Sequence, residues 1–144
     1  MFKFAKSTGE LFTELKQEKN LRDWRTNNSS EFVMSLGEYL TKLLTDKNLS
    51  KQEVIERSGL NREYAYHIFS GKRKKPSRPK VLALSIAMGL NLDEVQYLLR
   101  YAQHGVLYPR NQWDAVIISA VEQGLSVLQT NELLNQLGET ELLA

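Results

Sequence analysis

Two short helical segments follow one another between Ser50 and Gly71, and their joint pattern constrains the fold more than any other feature of the chain. Ser50, with Glu53 three residues later, opens the first, whose inward residues are Val54 and Ile55. Gly59 ends it, at a position where a left-handed backbone conformation carries little cost. Asn61 caps the second segment, which runs to about Phe69 with Ala65 and Ile68 inward, and Gly71 terminates it. Two short helices joined by a tight glycine turn form a helix-turn-helix.

Helical periodicity extends to both sides. Leu36, Leu40, Leu43 and Leu44 make one apolar face that stops at Asn48, while Val81, Leu82, Leu84, Ile86 and Leu90 predict a further helix. Asn91-Leu92-Asp93-Glu94 supplies a cap and first-turn acids for another, with Val95, Leu98 and Leu99 inward. Residues 31–105 therefore read as a five-helix unit of about 75 residues, large enough to fold alone. Before it, Ser7 and Glu10 have capping-box spacing and lead into Leu11, Phe12 and Leu15 of a short helix ending near Asn20, and Thr26–Ser30 reads as a polar linker. Residues 1–30 are thus an N-terminal extension. After it, Trp113 to Gln123 carries Val116, Ile117, Ala120 and Val121, Gly124 breaks the pattern, and Ser126 starts a last helix through Leu128, Leu133, Leu134 and Leu137. Residues 106–144 read as a helical hairpin. No segment makes a persuasive strand, and the three prolines all fall outside the apolar-periodic segments, so the expected class is all-α.

Charge is unevenly spread. Residues 1–30 carry +2, residues 31–105 carry +4 and residues 106–144 carry −4, within a total of +2. Lys72, Arg73, Lys74, Lys75, Arg78 and Lys80 place six cations in nine residues without an acid, and the rest of the chain is at −4. A local basic patch on a mildly acidic protein is what a phosphate-binding surface requires, although such runs also occur as solvated loops. With no cysteine there is no disulfide framework, thiolate nucleophile or cysteine zinc site, and a reducing compartment fits. The residues Met1-Phe2-Lys3-Phe4-Ala5-Lys6 lack the apolar core of a signal peptide, and Ala115–Val121 is too short to span a bilayer, so a cytoplasmic protein without membrane contact is expected.

The run Leu49-Ser50-Lys51-Gln52-Glu53-Val54-Ile55-Glu56-Arg57-Ser58-Gly59-Leu60-Asn61-Arg62, continued by Ile68-Phe69-Ser70-Gly71-Lys72-Arg73-Lys74-Lys75-Pro76, resembles the lambda-repressor-like, or XRE, helix-turn-helix family. Leu82–Leu90 and Asn91–Val95 are similar to that family's closing helices, and the likeness covers about half of the chain. It implies a five-helix double-stranded-DNA-binding domain in a small bacterial transcriptional regulator, a repressor in the first instance. It assigns base reading to Arg62, Glu63 and His67, with Tyr66 on a neighbouring face. The chemistry suits: arginine pairs in bidentate fashion with guanine, and glutamate accepts from the cytosine amino group. Phosphate contacts fall on Lys51, Asn61, Ser70, Lys72, Arg73, Lys74 and Lys75, with Arg78 and Lys80 extending the run. Three positions depart from the family: Lys51 stands where Gln is usual, Ile55 where a small residue is usual, and Phe69 where a carboxylate is usual.

Both extensions leave alternatives open. The hairpin either completes the core or forms an oligomer or partner surface; its acidity turns it away from DNA, and Ile117, Val121, Leu133 and Leu137 are the candidate contacts of a homodimer. The N-terminal residues Phe2, Phe4, Leu11, Phe12, Leu15, Leu21 and Trp24 are too apolar to stay in water and must dock on this chain or on a neighbour. Nothing in the sequence suggests an enzyme, cofactor or metal: there is no phosphate-binding glycine loop, nucleophile motif or histidine–acid cluster, and only two histidines are present. The alternative to a regulator is a helix-turn-helix used as a protein adaptor or antitoxin-like component.

Overall fold

A computed structural model describes residues 5–32 and 34–143. Among these residues the chain is all-helical, with α1 (Thr8–Gln17), α2 (Leu21–Asn27), a single 3-10 turn (Ser29–Glu31), α3 (Leu36–Asp46), α4 (Lys51–Ser58), α5 (Arg62–Ser70), α6 (Arg78–Ala87), α7 (Leu92–Tyr101), α8 (Gln112–Glu122) and α9 (Val127–Gln136). No described helix is long and apolar enough to cross a membrane.

The helix starts follow local chemistry. Ser7, Ser35, Ser50, Asn61, Asn91, Asn111 and Ser126 each accept a hydrogen bond from a backbone N–H three residues on, satisfying a donor that the helix itself leaves free. Asn48, just beyond α3, adopts φ 53°, the left-handed conformation that asparagine tolerates.

The interior is organised around α6. Residues 81–88 are all buried, so this helix is covered on every side, by α4, α7 and α9. Its one buried hydroxyl, Ser85 Oγ, donates to the Val81 carbonyl at 2.9 Å. α3 packs on α5, and the Tyr39 ring stacks on Tyr101 at 4.4 Å, joining the start of α3 to the end of α7, where the Tyr101 hydroxyl donates to the Met34 carbonyl. Lys47 Nζ meets Glu94 Oε2 at 2.9 Å and ties the other end of α3 to the start of α7.

The C-terminal hairpin shares this core. Leu107, Val116, Ile117, Val127, Leu134 and Leu142 belong to the same apolar cluster as Leu43, Val54 and Leu82. This corrects the sequence-derived dimer surface, because Ile117 is fully buried within its own chain and cannot meet a second copy. Val121 and Leu133 are partly buried against the same core, and Leu137 is exposed together with Leu128.

A further expectation changes at the N-terminal side. Thr26–Ser30 is not a linker: α2 continues through Asn27, and Asn28 is buried, donating from Nδ2 to the Trp24 carbonyl at 2.9 Å and accepting from Lys6 Nζ at 2.6 Å. Of the polar side chains that suggest a linker, Thr26 donates to the Arg22 carbonyl within α2 and Asn28 ties the end of α2 to Lys6. Trp24 packs edge-on against Phe32, and Glu31 accepts from the Lys6 amide, so this segment closes on itself, while Phe12, Leu15, Leu21 and Phe32 are exposed. Phe2 and Phe4 lie outside the described residues.

Candidate nucleic-acid interface

The α4–α5 turn is held by its own side chains. Ser58 is buried; its Oγ donates to the Ile55 carbonyl at 2.6 Å and accepts from the Leu60 amide at 3.2 Å. Gly59 takes φ 74°, where a β-carbon would be strained, and Asn61 Oδ1 then accepts from the Tyr64 amide at 3.0 Å to start α5. At the far end Gly71 takes φ 90°, and the chain folds back so that the Arg73 amide donates to the His67 carbonyl at 2.9 Å. Ser70 Oγ donates to the same carbonyl. The basic loop is therefore bound to the last turn of α5.

α5 buries Ala65, Ile68 and Phe69 and packs the flanks of Tyr64 and Tyr66 against the same core. Arg62, Glu63 and Ser70 are exposed, whereas Tyr64, Tyr66 and His67 are half-buried. The Arg62 guanidinium lies 5.7 Å from the Tyr66 ring centre, and His67 Nε2 lies 3.9 Å from Glu63 Oε1 one turn away. All four sequence-derived reading residues thus share one helix surface. Phe69 is explained by packing: it is buried, and Lys51 Nζ rests 5.5 Å from its ring centre. Ile55 is buried as well, filling space between α4 and its neighbours.

Lys72, Arg73, Lys74 and Lys75 are exposed, and among the described residues none of them pairs with a carboxylate. Pro76 is buried, and His104 Nε2 lies 2.8 Å from its carbonyl oxygen, which anchors the far end of the loop to the residues after α7. The loop is flanked by two open depressions. One, of about 420 Å³, is lined by Asn61, Glu63, Tyr64, His67, Arg73 and Lys80. The other, of about 440 Å³, lies between Arg73, Lys74, Lys75 and the start of α3.

The structure separates two cations that the sequence groups together. Arg78 belongs to the fold: Nη1 and Nη2 each donate to an Asp114 carboxylate oxygen at 2.9 Å, Nε donates to the Gly105 carbonyl at 2.9 Å, and Nη2 also donates to the Val106 carbonyl at 3.1 Å. Its donors are committed within the chain, which corrects the expectation that it extends the phosphate-binding run. Burial pushes the Asp114 carboxyl up, but the guanidinium and the Tyr108 amide outweigh that effect and hold it below the usual range. Lys80, two residues on, instead lies 4.1 Å from the Tyr64 ring centre, with Arg73 at 5.2 Å from the same ring. Tyr64 is absent from the sequence-derived site. The signal that points to it is its position three residues after the cap and three before His67, on a face that helical spacing brings together.

Comparison with known proteins finds no matching family model, no similar curated sequence and no similar solved structure.

Proposed function

We propose that this protein binds duplex DNA selectively through α5 and the basic loop after it, in a lambda-repressor-like arrangement of α3–α7, and that it acts as a transcriptional regulator rather than as an enzyme. The observation that carries the proposal is the placement of an unpaired cationic loop, bonded through its backbone to α5, beside an outward helix face bearing Arg62, Glu63, Tyr66 and His67. Cations fixed relative to a reading helix set its register on the phosphates, and the side chains on that helix then meet base edges. Repression is the simplest mode, since occupancy alone blocks a promoter. One such module covers few base pairs, so two copies acting on half-sites are part of the proposal. With Ile117 buried, the exposed large hydrophobic residues of the hairpin segment among the described residues are Tyr108, Leu128 and Leu137.

Fluorescence polarisation with random-sequence duplex at two salt concentrations, followed by selection of preferred sites from a random library, tests this. Expected are binding that falls steeply with salt and enrichment of one motif. Absence of duplex binding at low salt would overturn the proposal in favour of a protein-binding role. Such a role would draw on the exposed Phe12, Leu15, Leu21 and Phe32.

A further inference from the structure

The segment Thr140–Leu143 lies against the turn that orients α5. Three side chains of the hairpin hold it there: Trp113 Nε1 donates to the Thr140 carbonyl at 2.8 Å, Asn135 Nδ2 donates to Glu141 Oε1 at 2.6 Å, and Asn131 Oδ1 accepts from the Leu142 amide at 2.9 Å. Leu142 is 2% exposed and joins the main core. Leu142 and Leu143 line an open depression of about 290 Å³ together with Gly59, Leu60 and Asn61 of the turn and Ser77, Pro79 and Lys80 at the start of α6. A β-carbon built on Gly59 would lie 3.4 Å from Leu143 Cδ1 and 4.0 Å from Val127 Cγ1, so this segment and α9 both reach the turn itself. Leu60, Asn61 and Lys80 also line the depression on the reading face.

We infer that Thr140–Leu143 is a positioning element for DNA reading: braced by Trp113, Asn131 and Asn135, it fixes the Gly59–Asn61 turn and thereby the angle at which α5 presents its side chains. The inference rests on the proposed DNA-binding role. Its physical basis is that Ser58 and Asn61 hold the turn from within through three local hydrogen bonds, whereas the side chains that a β-carbon on Gly59 would meet from outside are Leu143 and Val127. Loosening the brace breaks none of the loop's own hydrogen bonds, to His67 at one end and His104 at the other, so its cations stay exposed. Phosphate affinity is then retained while discrimination between sequences is lost.

The test uses the full chain with Leu142→Ala/Leu143→Ala, Leu143→Ala alone and Asn131→Ala, the last removing an anchor without opening the core, and Leu142→Met as the conservative control. The preferred-to-random affinity ratio is expected to fall about tenfold in the double variant, the discrimination carried by one base contact, with random-duplex binding unchanged. Asn131→Ala and Leu143→Ala are expected to fall in the same direction, and Leu142→Met to retain the ratio. Hydrogen exchange at the Leu60 and Tyr64 amides is expected to quicken without change in the α3 and α7 core. An unchanged ratio with unchanged exchange, or exchange quickened uniformly across the core, would reduce the segment to ordinary cover. If the unaltered protein bound no duplex, the DNA reading would fail separately, and local exchange at the turn alone would decide whether the brace exists.

Discussion

Gly37 is the second residue of α3, and α5 passes over it so closely that the absent side chain is part of the packing. A β-carbon there would lie 2.6 Å from the Phe69 carbonyl oxygen and 2.9 Å from that of Ile68. Ordinary carbon–oxygen contacts begin near 3.3 Å, so the shortfall is roughly 0.7 Å, and both obstructing atoms are backbone of the last turn of α5. No rotamer change relieves it; the helix has to move. Helix propensity acts the other way, favouring Ala over Gly by up to about 1 kcal/mol in a helix interior and less near its start. Overpacking of a dense interior costs about 1–3 kcal/mol, more where backbone must shift, so the net expectation for Gly37→Ala is a loss of about 1–2 kcal/mol. For a chain of this size that lowers the melting temperature by several degrees, at roughly 2–4 °C per kcal/mol. Gly9 supplies a matched control, since it is also the second residue of its helix, α1, and an added β-carbon there meets only Ser7 Oγ at 3.9 Å. Thermal and urea unfolding followed by circular dichroism should show Gly37→Ala destabilised and Gly9→Ala neutral or slightly stabilised. Because the displaced element is the helix proposed to read DNA, Gly37→Ala should also lose sequence discrimination. If both substitutions raised stability alike, the close α3–α5 approach would be wrong.

Other consequences can be measured independently. Arg78→Ala should cost about 3 kcal/mol, at the low end for a buried pair because the guanidinium is partly exposed, and leave random-duplex binding intact; unchanged stability with weaker DNA binding would return Arg78 to the phosphate surface. Asp114, whose folded pKa is depressed, contributes stability that is present above its unfolded value near 3.9 and lost as pH falls through the folded value, so Asp114→Asn should flatten acid unfolding below about pH 4. Glu94, also held low, keeps part of that slope in the variant. Lys72→Ala/Lys74→Ala/Lys75→Ala should weaken all duplexes alike and reduce the salt slope by about one unit for every phosphate no longer neutralised; an unchanged slope would remove the loop from the interface. Arg62→Ala should cost about 1–3 kcal/mol on the preferred site and relax selection at one base pair, and equal losses on random DNA would make it a backbone contact. Light scattering should show a dimer, alone or on DNA, that Leu137→Asp weakens; a strict monomer in both states would refute it.

What can be read without the structure is what neighbouring residues decide among themselves. Ser50, Asn61, Asn91 and Ser126 cap helices through the backbone three residues ahead of them, and Gly59 and Gly71 end helices through their own φ, so these boundaries are written in local chemistry. The shared outward face of Arg62, Glu63, Tyr66 and His67 follows from helical spacing alone. Residues whose role depends on a distant partner are not legible in this way. Arg78 and Lys80 stand two apart in one basic run, yet Asp114 lies 36 positions away from the first, while the second rests on Tyr64. Ile117 and Leu137 look alike as aliphatic positions of the hairpin, and only the packing of the hairpin on α6 and α7 makes one core and the other surface. Thr26–Ser30 carries the composition of a linker, but Lys6 and Trp24 give Asn28 partners that turn it into buried structure. Local hydrogen bonds and φ preferences act over three or four residues, so sequence determines them directly; burial and ion pairing depend on which surfaces meet, and only the tertiary arrangement brings those surfaces together.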